Sequence, residues 1–449
     1  MPYPAGVTYR QIAEALKPSK SFYPNATTLA EFHPNSLTLH FHYLSREDCA
    51  GITERGMSGV DRPKLETIVH EITHWSDQVS SVWGQDYLVN LFNAYEAANA
   101  NHEDQFFKVL EQYDEERRIL FPHYYHVQEK NARPHDKNKP WQIGFSAGQE
   151  FNADGFINPA RPIFFVKFGD NVTNELVARQ PITIGSLLET TATWAELRAG
   201  LATLRLIPSD ERTVETSLWT GERLKALYEP SLTVYTAPVH MLARFANTTD
   251  LLHAYERGAI LANVVLNLSG EHFDCLKHPD NFAPFGDRQA AFARARDRGY
   301  AFAVLACHAS KIDFDQPSRK WQAEVLQRAG LPSYENILHD AYAHLNNLGR
   351  GLPIRSALDQ VRDYLLEIGR ERFLSRAATN FTSDMFDPIG GTDGPMPPMF
   401  DRDANLFYIG SKPLDPKHFD PEAMHSQEWQ LRKFTDNFLQ GCRGMGIIP

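Results

Sequence analysis

One stretch constrains this chain more than any other: residues 61–81, DRPKLETIVHEITHWSDQVSS. A helix advances about 100° per residue, so Leu65, Ile68, Val69, Ile72, Trp75 and Val79 fall within about 120° of one another and form a core-facing stripe. His70 and His74 fall about 140° and 180° round from Leu65, and Asp77 and Ser81 continue that side. A segment patterned in this way needs two environments, an apolar core against one face and something that takes two imidazoles on the other. Asp61 stands where an N-cap belongs, Pro63 occupies the first turn, and Gly84 interrupts the run.

His70-Glu71-Ile72-Thr73-His74 has the form H-E-x-x-H. Imidazoles at i and i+4 can both reach one zinc ion at about 2.0–2.1 Å, and the glutamate after the first histidine stands beside the metal, not on it. Zinc lowers the pKa of a coordinated water toward about 7, so a carboxylate in the place of Glu71 is basic enough to take its proton. The alternative is an ordinary solvated His/Glu helix face. Two glutamates compete to be a third protein ligand. Glu96, in FNAYEAANA, returns toward the level of His74 if the chain reverses at Gly84. Glu189 lies in IGSLLETTATWAE, where Leu187, Leu188, Thr191, Ala192, Ala195, Ala199 and Ala202 form one helical stripe and Glu189, Thr193, Glu196 and Gly200 the opposite one. The alanines permit close packing. Glu189 and Glu196 face the same way, so one can ligate while the other braces a ligating histidine.

Together, VHEITHWSDQ and IGSLLETTATWAE resemble the gluzincin-like H-E-x-x-H metallopeptidases, a group with many poorly described bacterial members in which a later L-E-[small]-x-A helix supplies a glutamate. The resemblance covers about residues 60–205. It implies zinc held by His70, His74 and Glu189, Glu71 as general base, and a peptide or protein as substrate. The chain lacks the N-E-x-x-[SD] word of thermolysin-like enzymes, which weighs against Glu96. Hydrolases of this kind place a donor against the developing oxyanion. Tyr228, Tyr235 and His240 in LYEPSLTVYTAPVHML are candidates, with Tyr235 and His240 preferred, against a purely structural role for each. His123 and His126, three apart in FPHYYH, are either a second site or part of an aromatic loop. Two other functions fit the same residues: a non-haem iron peptide-modifying oxygenase using the two histidines and the glutamate, and a non-catalytic binding protein with a vestigial metal site.

The remaining signals bound the setting. A formal charge of −11 over 449 residues disfavours nucleic acid as a partner. Cys49, Cys275, Cys307 and Cys442 form no C-x-x-C pair, so neither a disulfide framework nor a thiolate zinc site is expected. The N-terminus carries no apolar signal segment and no apolar run is long enough to cross a bilayer, so a cytoplasmic protein without a membrane partner is expected. The alternation of residues 37–44, LTLHFHYL, predicts a strand with Leu37, Leu39, Phe41 and Tyr43 inward and Thr38, His40 and His42 on the other face, the two histidines being solvent-facing strand residues in preference to ligands. Strands are also expected at 141–151 and 162–168, and helices at 8–17, 87–99, 103–118, 184–206, 248–267, 290–298, 319–329, 334–346 and 354–377. The expected fold is α+β and mostly helical: a zincin-like catalytic region with a small sheet over residues 1–270, then a helical C-terminal portion, 271–449. The Gly/Pro/Asp/Met-rich loop at 385–405, with Gly391, Gly394 and Pro395 as its flexible points, is too long for a simple connector and is either a lid or a disordered segment or surface crossing.

Overall fold

The computed structural model describes residues 29–444, apart from 56–59, 101–102, 120–124, 130–140, 152–155, 311, 350–355, 379–385, 388–390, 393 and 411. The helix expected at 8–17 and His123 lie outside the described residues. In chain order the elements are β1 (Ala30–His33), β2 (Thr38–Phe41), α1 (Arg46–Arg55), α2 (Arg62–Ser80), α3 (Val82–Ala100), α4 (Phe106–Ile119), β3 (Val127–Gln128), β4 (Trp141–Phe151), β5 (Ile157–Asp170), β6 (Leu176–Pro181), α5 (Ile184–Leu204), α6 (Ser209–Leu227), α7 (Thr233–Ala246) and α8 (Leu251–Leu266). There follow α9 (Gly270–Cys275), α10 (Arg288–Arg294), α11 (Arg298–Ala309), α12 (Ser318–Arg328), α13 (Tyr334–Asn347), α14 (Ala357–Ala378), β7 (Phe386–Asp387), β8 (Gly391–Thr392), β9 (Met399–Phe400), β10 (Leu406–Phe407) and α15 (Pro421–Gly444). The protein is mostly helical with small sheets. No helix among the described residues is long and apolar enough to cross a membrane.

Two compact units divide the chain, and neither is continuous in sequence. The first takes the described residues of Met1–Glu116, Ala195–Pro208 and Tyr342–Gly446; the second those of Arg117–Trp194 and Ser209–Ala341. Residue 270, expected as a boundary, falls inside the second unit.

The first unit is built round α2. The stripe Leu65, Ile68, Val69, Ile72, Trp75 and Val79 is buried, and so are Asp77, on the side read as polar, and Ser76 and Ser80, which fall about 20° and 60° round from Leu65, within and beside the stripe. The reason is α14. Its Arg372 donates to Ser76 Oγ at 2.6 Å and lies 4.4 Å over the Trp75 ring, while its Arg376 donates to Ser80 Oγ at 2.9 Å and pairs with the Asp77 carboxylate. The chain reverses at Ser81, earlier than expected, so Gly84 lies in the first turn of α3. A Cβ on Gly84 would stand 1.9 Å from the Gln78 carbonyl oxygen, and one on Gly369 of α14 would stand 1.8 Å from that of Val79. Three backbones therefore meet at this corner where only glycine allows the approach.

A four-stranded sheet of order β1-β2-β9-β10 packs on α2. β1 and β2 are antiparallel, while β9, from within the Gly/Pro-rich loop, pairs parallel with β2. Met396, Met399 and Phe400 are buried, so this part of the 385–405 segment is core. Leu37 has φ of 59°, a left-handed turn conformation, which delays β2 to Thr38. The outward face expected for Thr38 and His40 is a misreading: Thr38 is fully buried and His40 half-buried, because His425 of α15 lies against both. That covering helix starts some 380 residues later in the chain, which no local alternation can report.

The second unit holds an antiparallel sheet of order β3-β6-β5-β4. Phe145 and Phe164 of its long β4–β5 hairpin pack with Phe282, and Phe164 also packs with Phe292 and Tyr300. α7, α8 and α11 pack together beside them. α4, α5 and α13 each have residues in both units.

Candidate metal centre

His70 and His74 lie one turn apart on α2. Their rings meet edge to face, with centroids 4.7 Å apart and planes at 81°. The four-residue spacing on α2 places both imidazoles on the same side. His74 is buried and His70 half-buried. Burial, reinforced by the neighbouring His70, holds His74 well below the ordinary histidine value, so its imidazole is neutral, the state in which histidine ligates a metal.

The Nδ1 of His70 lies 3.1 Å from Glu196 Oε2. A carboxylate only accepts, so Nδ1 carries the proton and Nε2 keeps its lone pair for a ligand. Glu196 is on α5, seven residues after Glu189, which puts the two on one helix face about 10.5 Å apart along the axis. Small residues line the other side of α5: Ala192, Ala195 and Ala199 are buried. Thr190 and Thr191 bond their hydroxyls back to Ser186 O (2.8 Å) and Leu188 O (2.7 Å), so their side chains are turned onto the helix itself.

His70, His74 and Glu189 each offer one ligand atom, and these atoms lie within 4.8 Å of one another; among the described residues this is the group that could hold a metal ion. Glu189 is fully buried. Two imidazole nitrogens and one carboxylate oxygen suit zinc, and three protein ligands leave a fourth position open. The same donors also suit iron(II). Glu71 is buried at 8% exposure, next in sequence to His70.

The other candidate residues have other places. Glu96, half-buried on α3, accepts from Ser356 Oγ at 3.1 Å and is not in the ligand group. His240 of α7 donates from Nε2 to the Leu227 carbonyl at 2.8 Å and packs among Trp141, Phe168 and Tyr228. Burial pushes it down to about 4, opposed by that hydrogen bond, so it is a neutral link between α6 and α7. Tyr235 is half-buried, and its carbonyl accepts from Tyr255 OH at 3.1 Å. His126 meets the Thr233 hydroxyl at 3.4 Å.

Sequence reasoning passed over Tyr43. Its phenol is half-buried, donates to the Lys64 carbonyl at 3.5 Å, and is pushed up to about 12 chiefly by burial, with the charges of Glu71, Asp48 and Glu196 adding to the rise. It therefore stands in the field of both Glu71 and Glu196. The alternation of residues 37–44 turns Tyr43 inward but gives no sign of what it meets.

Comparison with known proteins returns no match, whether to a protein-family model, to a curated protein or to a solved structure.

Proposed function

We propose that this chain is a zinc-dependent peptidase with a zincin-like catalytic region of the gluzincin arrangement, His70, His74 and Glu189 holding the metal and Glu71 acting as general base. The observation that carries the reading is the convergence of those three ligand atoms within 4.8 Å, at a helix where a buried glutamate follows the first histidine. Bound zinc supplies Lewis acidity, which makes water a competent nucleophile at neutral pH. Glu71 takes the proton from the attacking water and returns it to the departing amine. Glu196 fixes the His70 ring through Nδ1 and so keeps Nε2 aimed at the ligand position. Burial keeps His74 neutral and available. The substrate is a peptide or protein. The compartment is the cytoplasm, where Cys49, Cys275 and Cys307 remain thiols.

Metal analysis of the purified full chain is the direct test. About one zinc per chain is expected, with loss in His70→Ala and His74→Ala. Glu71→Gln should retain zinc and the wild-type melting temperature while peptide hydrolysis falls by ~10²–10⁴-fold, because an amide cannot take the proton. Normal zinc in either histidine variant overturns the ligand assignment. Hydrolysis within a few-fold of wild type in Glu71→Gln overturns the base. Iron in place of zinc, with 2-oxoglutarate-dependent turnover, would put an oxygenase in place of the peptidase.

A further inference from the structure

The first unit contains a second cluster of histidines and glutamates, separate in sequence from the H-E-x-x-H helix. Thr38 Oγ1, His40 Nε2 and His425 Nε2 form a triangle with edges of 3.2, 3.1 and 3.3 Å. On the far side of the His425 ring, Nδ1 is 3.7 Å from Glu428 Oε2, and the same oxygen is 3.8 Å from His33 Nδ1. His33 Nε2 reaches Glu31 at 3.4 Å, and its ring lies 4.3 Å from that of His40. Thr38, His425 and Glu428 are buried. These side chains come from β1, β2 and α15, so they fasten the C-terminal helix to the sheet that packs on α2.

The cluster sorts its histidines into two kinds by geometry. His33 lies between two carboxylates, and its positive charge compensates the buried Glu428. His40 and His425 point Nε2 at Nε2, an arrangement in which one nitrogen must accept; two imidazolium N–H groups at 3.3 Å would face each other head-on. A metal is the weaker occupant, because no third His, Cys, Asp or Glu ligand atom joins that nitrogen pair among the described residues. We propose that the His33–His40–His425–Glu428 cluster is a proton-operated latch that holds α15 on β1 and β2 only while His33 is charged and His40 and His425 are neutral.

The protonation tendencies agree with the geometry. Burial opposes charge on His33, but Glu31 and Glu428 outweigh it and lift it to about 9. Burial holds His40 well below the ordinary histidine value, with His33 and His425 adding to the effect and Glu428 opposing it. Burial also lowers His425, against the pull of Glu428. Glu428 stays well below the usual carboxylate range despite burial, because His33 and His425 outweigh it. The other titratable and charged groups facing the cluster are Glu31 and His42 on the sheet side, Arg432 on α15, and Tyr87, Tyr95 and Glu116 on α3 and α4. A raised His33 contributes stability that is complete below about 6.5 and is lost as pH climbs through about 9; lowered His40 and His425 contribute stability that is complete above 6.5 and is lost as pH falls below it. The latch is therefore tightest near pH 6.5–7 and loosens on either side.

Hydrogen exchange of the full-length protein, corrected for intrinsic rates and read on peptides from residues 421–438 and 30–41, tests this between pH 5 and 9.5, with α8 as internal reference. Protection of both segments should peak near neutrality, fall at least tenfold by pH 5, and fall again above pH 9, while α8 changes less. His425→Gln should diminish the acid-side loss, leaving the share that belongs to His40, and His33→Gln should remove the alkaline one. Should His425→Gln not fold, His40→Gln takes its place. Protection that tracks the reference across the whole range, or an acid-side loss undiminished in the glutamine variant, overturns the proposal. Neither result bears on zinc content, which tests the ligand assignment separately.

Discussion

Replacing Glu196 separates a brace from a bystander. The His70 Nδ1–Glu196 Oε2 contact is 3.1 Å, between side chains only 12% and 17% exposed. That is more shielded than a surface pair, whose removal costs about 0–1 kcal/mol. A carboxylate on the far nitrogen of a ligating imidazole fixes its tautomer and orientation, and its loss typically costs 10–100-fold in metal affinity, or about 1.4–2.7 kcal/mol. Glu196→Ala should fall in that range. Glu196→Gln, whose amide oxygen still accepts from Nδ1, should lose roughly three- to tenfold, since the hydrogen bond survives without its charge. The assay is zinc competition between the full chain and a chromophoric chelator, with hydrolysis followed in parallel at saturating zinc. If Glu196→Ala binds zinc within threefold of wild type while His70→Ala binds none, the carboxylate is not holding the ring.

Other perturbations follow from the same geometry. Glu96→Ala should leave zinc affinity within twofold, since Glu96 is engaged with Ser356; loss of metal in that titration would make it the third ligand after all. Arg376→Met removes the cation beside Asp77, which is fully buried, and should destabilise the first unit by ~3–5 kcal/mol in denaturant unfolding; adding Asp77→Leu should recover most of this, and a double variant no better than the single would refute the pairing argument. His240 is held at about 4 against an unfolded value of 6.5, so the second unit should lose up to about 3 kcal/mol as pH falls from 6.5 through 4; a Tm for that unit that is flat over this interval in His240→Gln and wild type alike would contradict it.

Periodicity reads what is local. The apolar stripe of α2 follows from Leu65, Ile68, Ile72 and Trp75, and the shared face of Glu189 and Glu196 follows from their seven-residue spacing. Sequence does not tell what meets the opposite face of α2. Asp77 looks like part of a solvated side until Arg376 arrives from 299 residues away, and the partners of Ser76 and Ser80, Arg372 and Arg376, come from 296 residues away. His40 is misread for the same reason, as its cover is His425. That Glu196 meets His70 depends on a contact spanning 126 residues. α6, SDERTVETSLWTGERLKAL, escapes detection because it buries only Trp219 and Leu227 and shows little apolar contrast. β6, LVARQP, is six residues ending in proline, too short for its alternation to register.

The wide sequence separation of those contacts carries a cost in time. The Arg372–Ser76 hydrogen bond joins residues 296 apart, so at a synthesis rate of roughly 5–20 residues per second the histidine helix emerges about 15–60 s before its arginine cover exists. Over that interval Asp77 has no Arg376 to neutralise it, and β2 has neither β9 beside it nor α15 over its histidines. The segment between, which supplies most of the second unit, is complete first. A nascent chain of this design thus keeps its histidine helix unassembled until the last hundred residues appear, so an interrupted product would carry H-E-x-x-H without the structure that holds it. Long-range pairing of this sort also folds slowly, and leaves apolar surface such as Trp75 open to chaperones in the meantime.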